Sequence, residues 1–209
     1  MRTILILSIL ISCFSSSAQQ EQIETIYFKK GMAAANKGNY ALAIEDYSKA
    51  IALNPKNSLT YYNRGLAYFY LEKNREAIED FTKAIAINPK DADYYLNRAN
   101  AYMELKSYKE AIEDYTKTIQ LQPSHESAYI SRGYAQDELK NYKEAIEDYT
   151  KAIELNPKDG NAYNDRGISE EKMLQYKEAI EDFKKVITLN AYNEIYKDNL
   201  KRAEEKAGK

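Results

Sequence analysis

Four prolines recur at one fixed interval along the chain. Pro55, Pro89, Pro123 and Pro157 are each 34 residues apart, and the segments that end at them align without a gap as YALAIEDYSKAIALNP, NREAIEDFTKAIAINP, YKEAIEDYTKTIQLQP and YKEAIEDYTKAIELNP. A fifth copy, YKEAIEDFKKVITLNA, carries Ala191 in place of the proline. A period of this length indicates an array of stacked structural units, in which each unit contacts its neighbours.

Each copy has the apolar spacing of an amphipathic helix. In the fourth copy Ala145, Tyr149 and Ala152 lie at positions i, i+4 and i+7, which share one helical face. The proline ends this helix, because the residue before a proline avoids the α region. A second helical segment precedes each copy and reads, for example, YYNRGLAYFYL over 61–71. A single hairpin of two such helices cannot bury both apolar faces, so the pattern predicts that neighbouring hairpins stack.

The aligned columns resemble the tetratricopeptide repeat, a 34-residue helical hairpin. The family's tryptophan position holds tyrosine, the small eighth position holds glycine or alanine, and alanine and aromatic columns follow on the second helix. In order, these columns are Tyr27, Tyr61, Tyr95, Tyr129, Tyr163; Gly31, Gly65, Ala99, Gly133, Gly167; Ala43, Ala77, Ala111, Ala145, Ala179; and Tyr47, Phe81, Tyr115, Tyr149, Phe183. Gln136 and Glu170 depart from a column that holds tyrosine in the second and third repeats.

This resemblance implies an all-α, right-handed α-solenoid of five 34-residue helix-turn-helix repeats. The expected repeats cover residues 24–57, 58–91, 92–125, 126–159 and 160–193. Because Ala191 removes the last proline, the chain is expected to run with little interruption into a closing helix at about Glu194 to Ala207, within a capping segment of residues 194–209. A polar-faced terminal helix covers the last open core of such an array.

The first 18 residues have the pattern of an export signal. Arg2 gives a positive start, Ile4 to Ile11 form an apolar run, and Ala18 ends a small-residue cleavage site. Cleavage after Ala18 is the favoured expectation, and residues 19–23 then form a short linker. The apolar run is shorter than the ~20 residues that a membrane span needs. The protein is therefore expected in the periplasm or cell envelope, with no membrane span.

A second interpretation of the leader stays open. Cys13 follows the residues LIS, and together they resemble the lipobox of bacterial lipoproteins, whose cysteine is acylated. The leader would then end at Cys13, and the protein would be a lipoprotein tethered to the outer membrane. A leader that is retained is the third alternative.

Several classes of chemistry are disfavoured by the sequence. Lys and Arg number 30 against 32 Asp and Glu, and no polybasic tract predicts nucleic-acid binding. His125 is the only histidine and Cys13 the only cysteine, so a zinc ligand set is not expected. The carboxylates of the AIED segments recur in every repeat, whereas a catalytic pair needs one environment that separates two pKa values. The sequence therefore predicts no catalytic residues, no metal site and no cofactor.

Two polar or small columns are interpreted as structural. Glycine inside a helix costs ~1 kcal/mol relative to alanine, so Gly65, Gly133 and Gly167 are expected to lie against Ala77, Ala145 and Ala179. A half-buried guanidinium needs an anionic partner. The arginines Arg64, Arg98, Arg132 and Arg166 are therefore expected to form a ladder with Asp80, Asp114, Asp148 and Asp182. A ligand site at these arginines is the alternative.

The resemblance also implies that the first helices line a concave groove that receives a peptide or partner segment. The positions carried over, called the groove set below, are Phe28, Met32, Leu59, Tyr62, Leu66, Phe69, Tyr70, Leu96, Asn100, Met103, Ile130, Tyr134, Asp137, Glu138 and Glu171. The first two repeats supply apolar and aromatic side chains, which suit an interface, and the later ones add acids. Packing of some of these residues against 19–26 is the alternative.

The sequence thus predicts a non-enzymatic protein–protein interaction scaffold of the bacterial cell envelope. The lysines of the family's carboxylate clamp are absent, since apolar and aromatic residues such as Phe28 and Tyr62 occupy those positions. A role as an adaptor for acidic chaperone tails is therefore not expected. The alternative function is that of an assembly or structural component anchored through an acylated Cys13.

Overall fold

The computed structural model describes the backbone of residues 2–189 and 194–208, and the side chains of residues 19–189 and 194–208. Every regular element in these ranges is an α-helix. In chain order they are α1 (Arg2–Ala35), α2 (Tyr40–Leu53), α3 (Ser58–Tyr70), α4 (Asn74–Ile87), α5 (Ala92–Glu104), α6 (Tyr108–Leu121), α7 (Glu126–Glu138), α8 (Tyr142–Leu155), α9 (Gly160–Lys172), α10 (Tyr176–Leu189) and α11 (Glu194–Ala207). The expectations for the Cys13 side chain and for Ala191 fall outside the described residues.

The helices pack as successive hairpins within two compact units. The first unit contains residues 1–101 and the second contains residues 102–209. In the first unit α1 packs against α2, α2 against α3, and α3 against α4. In the second unit each helix from α6 to α10 packs against the helix that follows it. The prediction of an all-α fold built from helical hairpins is confirmed.

The turns inside the hairpins end each first helix in the same way. Lys140 has a positive φ of 64°, a conformation that costs little only for glycine, and Gly38 holds the equivalent place in the first hairpin. The N–H of Asn141 then donates to the carbonyl of Gln136 at 2.9 Å, which is the arrangement that closes many helix C-termini. The first helix of each hairpin therefore ends at a defined residue, and the second begins almost at once.

In the hairpins α1–α2, α3–α4, α7–α8 and α9–α10 an aromatic ring packs on a glycine of the first helix. A Cβ atom added to Gly133 would lie 2.9 Å from Cε1 of Tyr149, and one added to Gly65 would lie 2.7 Å from Cε1 of Phe81. The nearest atoms to these glycines belong to the aromatic column rather than to the alanine column, because the longer aromatic side chain reaches across to the first helix. At Gly65 and Gly133 a side chain could be added only if the ring shifted, which favours glycine there, whereas the same column holds Ala99 in the third repeat.

An arginine on the first helix connects three helices. Arg132 on α7 donates from Nε and Nη2 to the carboxylate of Asp148 on α8, at 2.8 and 2.6 Å. Its Nη1 donates to Oγ1 of Thr116 on α6 at 2.9 Å, and its guanidinium lies 5.8 Å from the ring of Tyr129. Equivalent bridges join Arg64 to Asp80 and Ser48, and Arg166 to Asp182 and Thr150. The predicted arginine–aspartate pairing is confirmed at these three positions, and the hydroxyl adds a link to the preceding hairpin.

The closing helix α11 covers the last hairpin, as predicted. Ala203 packs into the buried cluster of α10. The hydroxyl of Tyr196 donates to Oδ1 of Asn161 at 3.0 Å, and Nδ2 of Asn199 donates to Oδ1 of Asn164 at 2.9 Å. Both bonds join residues 35 positions apart, so α11 lies against α9 as the first helix of a further repeat would.

The arginine bridge predicts that removing the arginine alone lowers stability strongly, and that removing both charged partners does not. Arg132→Ala should lower the free energy of unfolding by ~2–4 kcal/mol, because it leaves the buried carboxylate of Asp148 without its cation. Combining Arg132→Met with Asp148→Leu should restore most of the loss, since no buried charge then remains. Urea unfolding of each variant measures this. Lys151→Ala is the control, because its exposed ion pair with Glu154 contributes ~1 kcal/mol at most. Equal losses in Arg132→Ala and Lys151→Ala would contradict the bridge.

Candidate partner-binding site

Part of the groove set is open to solvent. Tyr70 is 60% exposed, and Met32, Leu59 and Tyr134 are each exposed by about half. All four are large apolar or aromatic side chains on the first helices of their hairpins. Exposed apolar side chains mark an interaction surface where they form a contiguous patch. These four residues therefore remain candidates for partner contacts.

Other members of the groove set contribute to the hairpin cores. The ring of Tyr62 lies 5.9 Å from that of Phe81 and 4.9 Å from that of Tyr94, both measured between centroids. Leu66 and Phe69 pack against the same buried cluster as Tyr62. The further members that are only partly exposed are Phe28, Leu96, Asn100, Met103 and Ile130. Tyr62 and Phe69 are thus less suitable for substitution than an exposed residue, because their truncation would also disturb the fold.

Glu171 does not belong to an open groove, so its assignment there was wrong. It is only 6% exposed. Nη2 of Arg202 and Nζ of Lys206, both on α11, each donate to its carboxylate at 2.7 Å. The hydrogen bond from Arg202 lowers the pKa of Glu171. The sequence pattern could not show this, because the two cations approach from a helix more than 30 positions further along the chain.

The remaining acids of the groove set are partly engaged. Oγ of Ser169 donates to Oδ2 of Asp137 at 2.9 Å, and Nζ of Lys172 lies 3.4 Å from the same oxygen. The hydroxyl of Tyr108 donates to Oε2 of Glu138 at 2.9 Å, and Glu138 stays exposed. The predicted acidic character of this face is present, but Asp137 is far more enclosed than the sequence suggested.

A cleft of about 270 Å³ lies in the first unit. Tyr70 forms one wall and stacks on Tyr40, with ring centroids 4.8 Å apart and ring planes 15° apart. Leu66, a second member of the groove set, also lines the cleft. The further lining residues are Ala35, Asn36, Tyr47, Asn63 and Ala67. The walls combine aromatic and apolar side chains with the polar side chains of Asn36 and Asn63, and such a mixture is found in ligand-binding clefts.

Tyr40 was not among the residues predicted from the sequence. A signal for it existed, since a tyrosine opens the second helix again at Tyr108, Tyr142 and Tyr176. The groove set was carried over from first helices only, so a wall supplied by a second helix was missed. Tyr40 and Tyr70 together give the cleft its aromatic side.

Glu170, the neighbour of Glu171, is buried in a different environment. It is 7% exposed, and Oε1 lies 3.9 Å from Nε of Arg166. Within the described residues, Oε2 is buried and has no hydrogen-bond partner. Burial, followed by the nearby carboxylate of Asp182, raises the pKa of Glu170 to about 8. Glu170 therefore titrates near neutral pH at a position where the second repeat has Tyr68.

Within the part of the chain that the structure describes, no cluster of three or more His, Cys, Asp or Glu side chains could hold a metal ion. In the same residues no helix combines the length and apolarity that crossing a membrane requires.

Successive helical hairpins, with a glycine of the first helix under an aromatic ring of the second, place this chain in the class of helical repeat proteins. The chain belongs to the tetratricopeptide repeat family, because models described as Tetratricopeptide repeat match residues 58–91, 92–125, 127–159 and 148–181, and one described as TPR repeat matches 31–71. The resemblance drawn from the sequence columns is thereby confirmed. No curated protein matches the sequence.

Solved structures of similar fold support this assignment. A crystal structure of MamA protein is 27% identical with a TM-score of 0.79, and the match covers 82% of this chain and 93% of that chain. A tetratricopeptide repeat protein from Parabacteroides merdae is 26% identical with a TM-score of 0.79, and the match covers 90% of this chain and 74% of that one. YrrB, a TPR protein with an unusual peptide-binding site, is 19% identical with a TM-score of 0.77, covering 84% and 90% respectively, and shows the fold alone.

The raised pKa of Glu170 predicts a pH-dependent loss of stability. The carboxyl has its ordinary pKa of 4.5 when unfolded and about 8 when folded, so between these pH values the unfolded chain releases a proton that the folded chain keeps. Stability therefore falls as pH rises through this window. Glu170→Gln should remove that loss, with a gain of up to a few kcal/mol near pH 9, at about 1.4 kcal/mol for each pKa unit, and little gain near pH 4.

Thermal melts across the pH range measure this effect. Glu154→Gln is the control, because Glu154 is an exposed carboxylate on α8. A gain from Glu170→Gln that is the same at low and at high pH would show that Glu170 does not hold its proton in the folded protein.

Proposed function

We propose that this protein is a non-enzymatic scaffold that binds a peptide segment of a partner protein along its first helices. The observation that carries the proposal is the cleft of about 270 Å³ in the first unit, walled by the stacked Tyr40 and Tyr70. A stack of two rigid rings beside Leu66 gives the cleft an aromatic and apolar wall that is formed before a partner arrives. Because such a site is already ordered, little conformational entropy is lost when a partner binds to it.

The composition of the exposed surface supports the same proposal. Tyr70, Leu59 and Met32 are exposed in the first unit, and tyrosine and methionine are enriched in protein interfaces. A rigid aromatic side chain gives a large contact area with few rotatable bonds. We therefore assign the anchoring role to Tyr70 and the cleft, and a peripheral role to Leu59 and Met32.

The family supports an interaction role rather than an enzymatic one. The fold is shared with MamA and with YrrB, which is described as having a peptide-binding site. A fold by itself does not define a function, so the assignment to this chain depends on the cleft and its exposed side chains.

We also propose that the scaffold acts in the cell envelope. The support is the leader, with its positive Arg2, its apolar run and its small-residue end at Ala18. Anchoring through an acylated Cys13 is the alternative form of this proposal. Mass spectrometry of the mature N-terminus distinguishes them, since export with cleavage leaves Gln19 first, anchoring leaves an acylated Cys13, and an intact Met1 would contradict both.

Loss of the Tyr70 ring should weaken binding without unfolding the protein. Peptides selected on the wild-type protein from a random library should lose ~2 kcal/mol of binding free energy with Tyr70→Ala, a loss of about 30-fold in affinity, as buried aromatic anchors do. Because Tyr70 is 60% exposed, the helical circular dichroism should be unchanged. Calorimetric titration of the selected peptides measures the affinity.

The matched control is Ile87→Ala, which removes an exposed apolar side chain from the end of α4 in the same unit. The control should bind the peptides at wild-type strength. If Tyr70→Ala and Ile87→Ala both bind as the wild type does, the cleft is not the binding site.

A further inference from the structure

The first hairpin is uncovered on the side where a preceding hairpin would pack. α1 runs back to Arg2 as one helix, so no described hairpin lies before it. Ala33 is exposed, whereas Ala67, which is 34 residues later, is buried. Ile26 is 50% exposed. The residues that hold the position of Ile26 in later first helices are fully buried at Thr60, Ala128 and Ala162.

In later hairpins the second helix of the preceding hairpin covers this side. Ala67 on α3 packs in one buried cluster with Ala43 and Tyr47 of α2. Thr150 on α8 accepts a hydrogen bond from Nη1 of Arg166 on α9 at 3.0 Å. A covering helix thus supplies small and aromatic side chains together with one polar acceptor. A helix of this kind fits the uncovered side of the first hairpin, because that side repeats an interface already present in the fold.

A hollow of about 270 Å³ marks the place where such a helix would lie. It is lined from α1 and α2, and its walls are largely apolar. Ile26, Lys30, Ala33 and Lys37 follow one face of α1 at i, i+4, i+7 and i+11, so Ile26 extends the same surface. We call this surface the open end, and its residues are Ile26, Lys30, Ala33, Lys37, Leu42 and Asp46.

The open end has uncompensated positive charge. Lys30 and Asp46 hold the places of the arginine and the aspartate of the later bridges. Within the described residues, Asp46 is paired with Lys49 at 3.6 Å, and neither Lys30 nor Lys37 has a carboxylate partner. Nζ of Lys30 and Nζ of Lys49 lie 5.5 and 5.4 Å from the centroid of the Tyr27 ring. A carboxylate brought to this surface would therefore be attracted to it.

Lysine in the arginine column changes what the covering helix must supply. Arg166 uses Nε and Nη2 for Asp182 and keeps Nη1 for the hydroxyl of Thr150. Lys30 has one charged nitrogen on a shorter side chain, and its charge is not balanced within the hairpin. A hydroxyl would leave that charge unbalanced, whereas a carboxylate would balance it. A glutamate therefore fits opposite Lys30 better than a threonine does.

We propose that the open end binds an amphipathic helix of a partner protein, packed as the second helix of a preceding hairpin would be, with a glutamate paired to Lys30. The helix presents small apolar side chains to Ile26, Ala33 and Leu42. A second copy of this chain is a poorer occupant, because its last second helix, α10, is already covered by α11. This surface goes beyond the proposed function, since none of its residues lines the cleft.

A direct test uses a defined helix and the full chain. The peptide YKEAIEDYTKAIELNP has the sequence of residues 142–157 and contains α8, which packs against α9 in the fold. Two forms of it, with Thr150→Glu and Thr150→Lys, are titrated into the ¹⁵N-labelled protein. The glutamate form should shift the backbone amides of Lys30, Ala33 and Leu42. The lysine form should bind about fivefold more weakly, because an exposed ion pair contributes little more than this.

Charge reversal tests the pairing with Lys30. Lys30→Glu should reverse the order, so that the lysine form of the peptide binds more tightly than the glutamate form. Lys29→Glu is the matched control, because it makes the same change in net charge one residue away and does not line the hollow. Both lysines are exposed, so the helical circular dichroism should be unchanged. A preference for the glutamate form that survives Lys30→Glu would overturn the proposal.

A steric variant tests the position of the helix. Ala33→Arg should weaken binding roughly tenfold or more, because the added side chain occupies the hollow. Ala41→Arg is the matched control, since Ala41 is exposed and the same position holds Arg75 in the second repeat. Binding that survives Ala33→Arg, or amide shifts confined to α9, would contradict the proposal. A wild-type dimer that Ala33→Arg dissociates in sedimentation would assign the open end to a second copy instead.

The outcome is independent of the cleft. Tyr70→Ala should leave binding of the glutamate peptide unchanged, because Tyr70 lines the cleft and not the hollow. Failure of the Tyr70 experiment with success of the glutamate titration would reject the cleft alone, and the reverse result would reject the open end alone.

Discussion

The arginine bridge is the interaction on which the arrangement of the first helices depends. A helical hairpin of this size cannot bury two apolar faces by itself, so its neighbours must hold a fixed position. Arg132 provides this by binding a carboxylate in its own hairpin and a hydroxyl in the preceding one, at Asp148 and Thr116. A buried ion pair of this kind contributes little to the net free energy of folding. It disfavours other placements of the neighbouring hairpin, because they would leave a buried charge unpaired.

This internal constraint leaves the other side of each first helix free to vary. Glycine and aromatic columns repeat from hairpin to hairpin, whereas exposed positions change from Tyr70 in the first unit to Glu138 in the second. Glu170 and Asp165, both on α9, differ in charge from the residues at the same positions of the preceding hairpin. Each places a carboxylate where the preceding hairpin has a neutral side chain, at Gln136 and Ser131 respectively. Such departures are expected where a repeat carries function or strain.

Local patterns were sufficient to predict the helices, the arginine–aspartate pairs and the closing helix, because each depends on spacing within one or two repeats. Contacts that depend on three-dimensional register were not predictable in the same way. The enclosure of Glu171 arises from Arg202 on α11, and the aromatic wall of Tyr40 arises from a second helix. The open end likewise becomes visible only when the neighbouring helices are placed, since the exposed Ala33 is the same residue type as the buried Ala67.

The central claim is that partners bind along the first helices at the cleft of the first unit. Site-specific photocrosslinking in the cells that make the protein tests it most directly, with a benzophenone side chain at Tyr70 or Leu59 and, for comparison, at Ile87 on α4. The account predicts that the same discrete partner is crosslinked from both Tyr70 and Leu59 and not from Ile87. Efficient crosslinking of that partner from Ile87, with none from Tyr70 or Leu59, would contradict it.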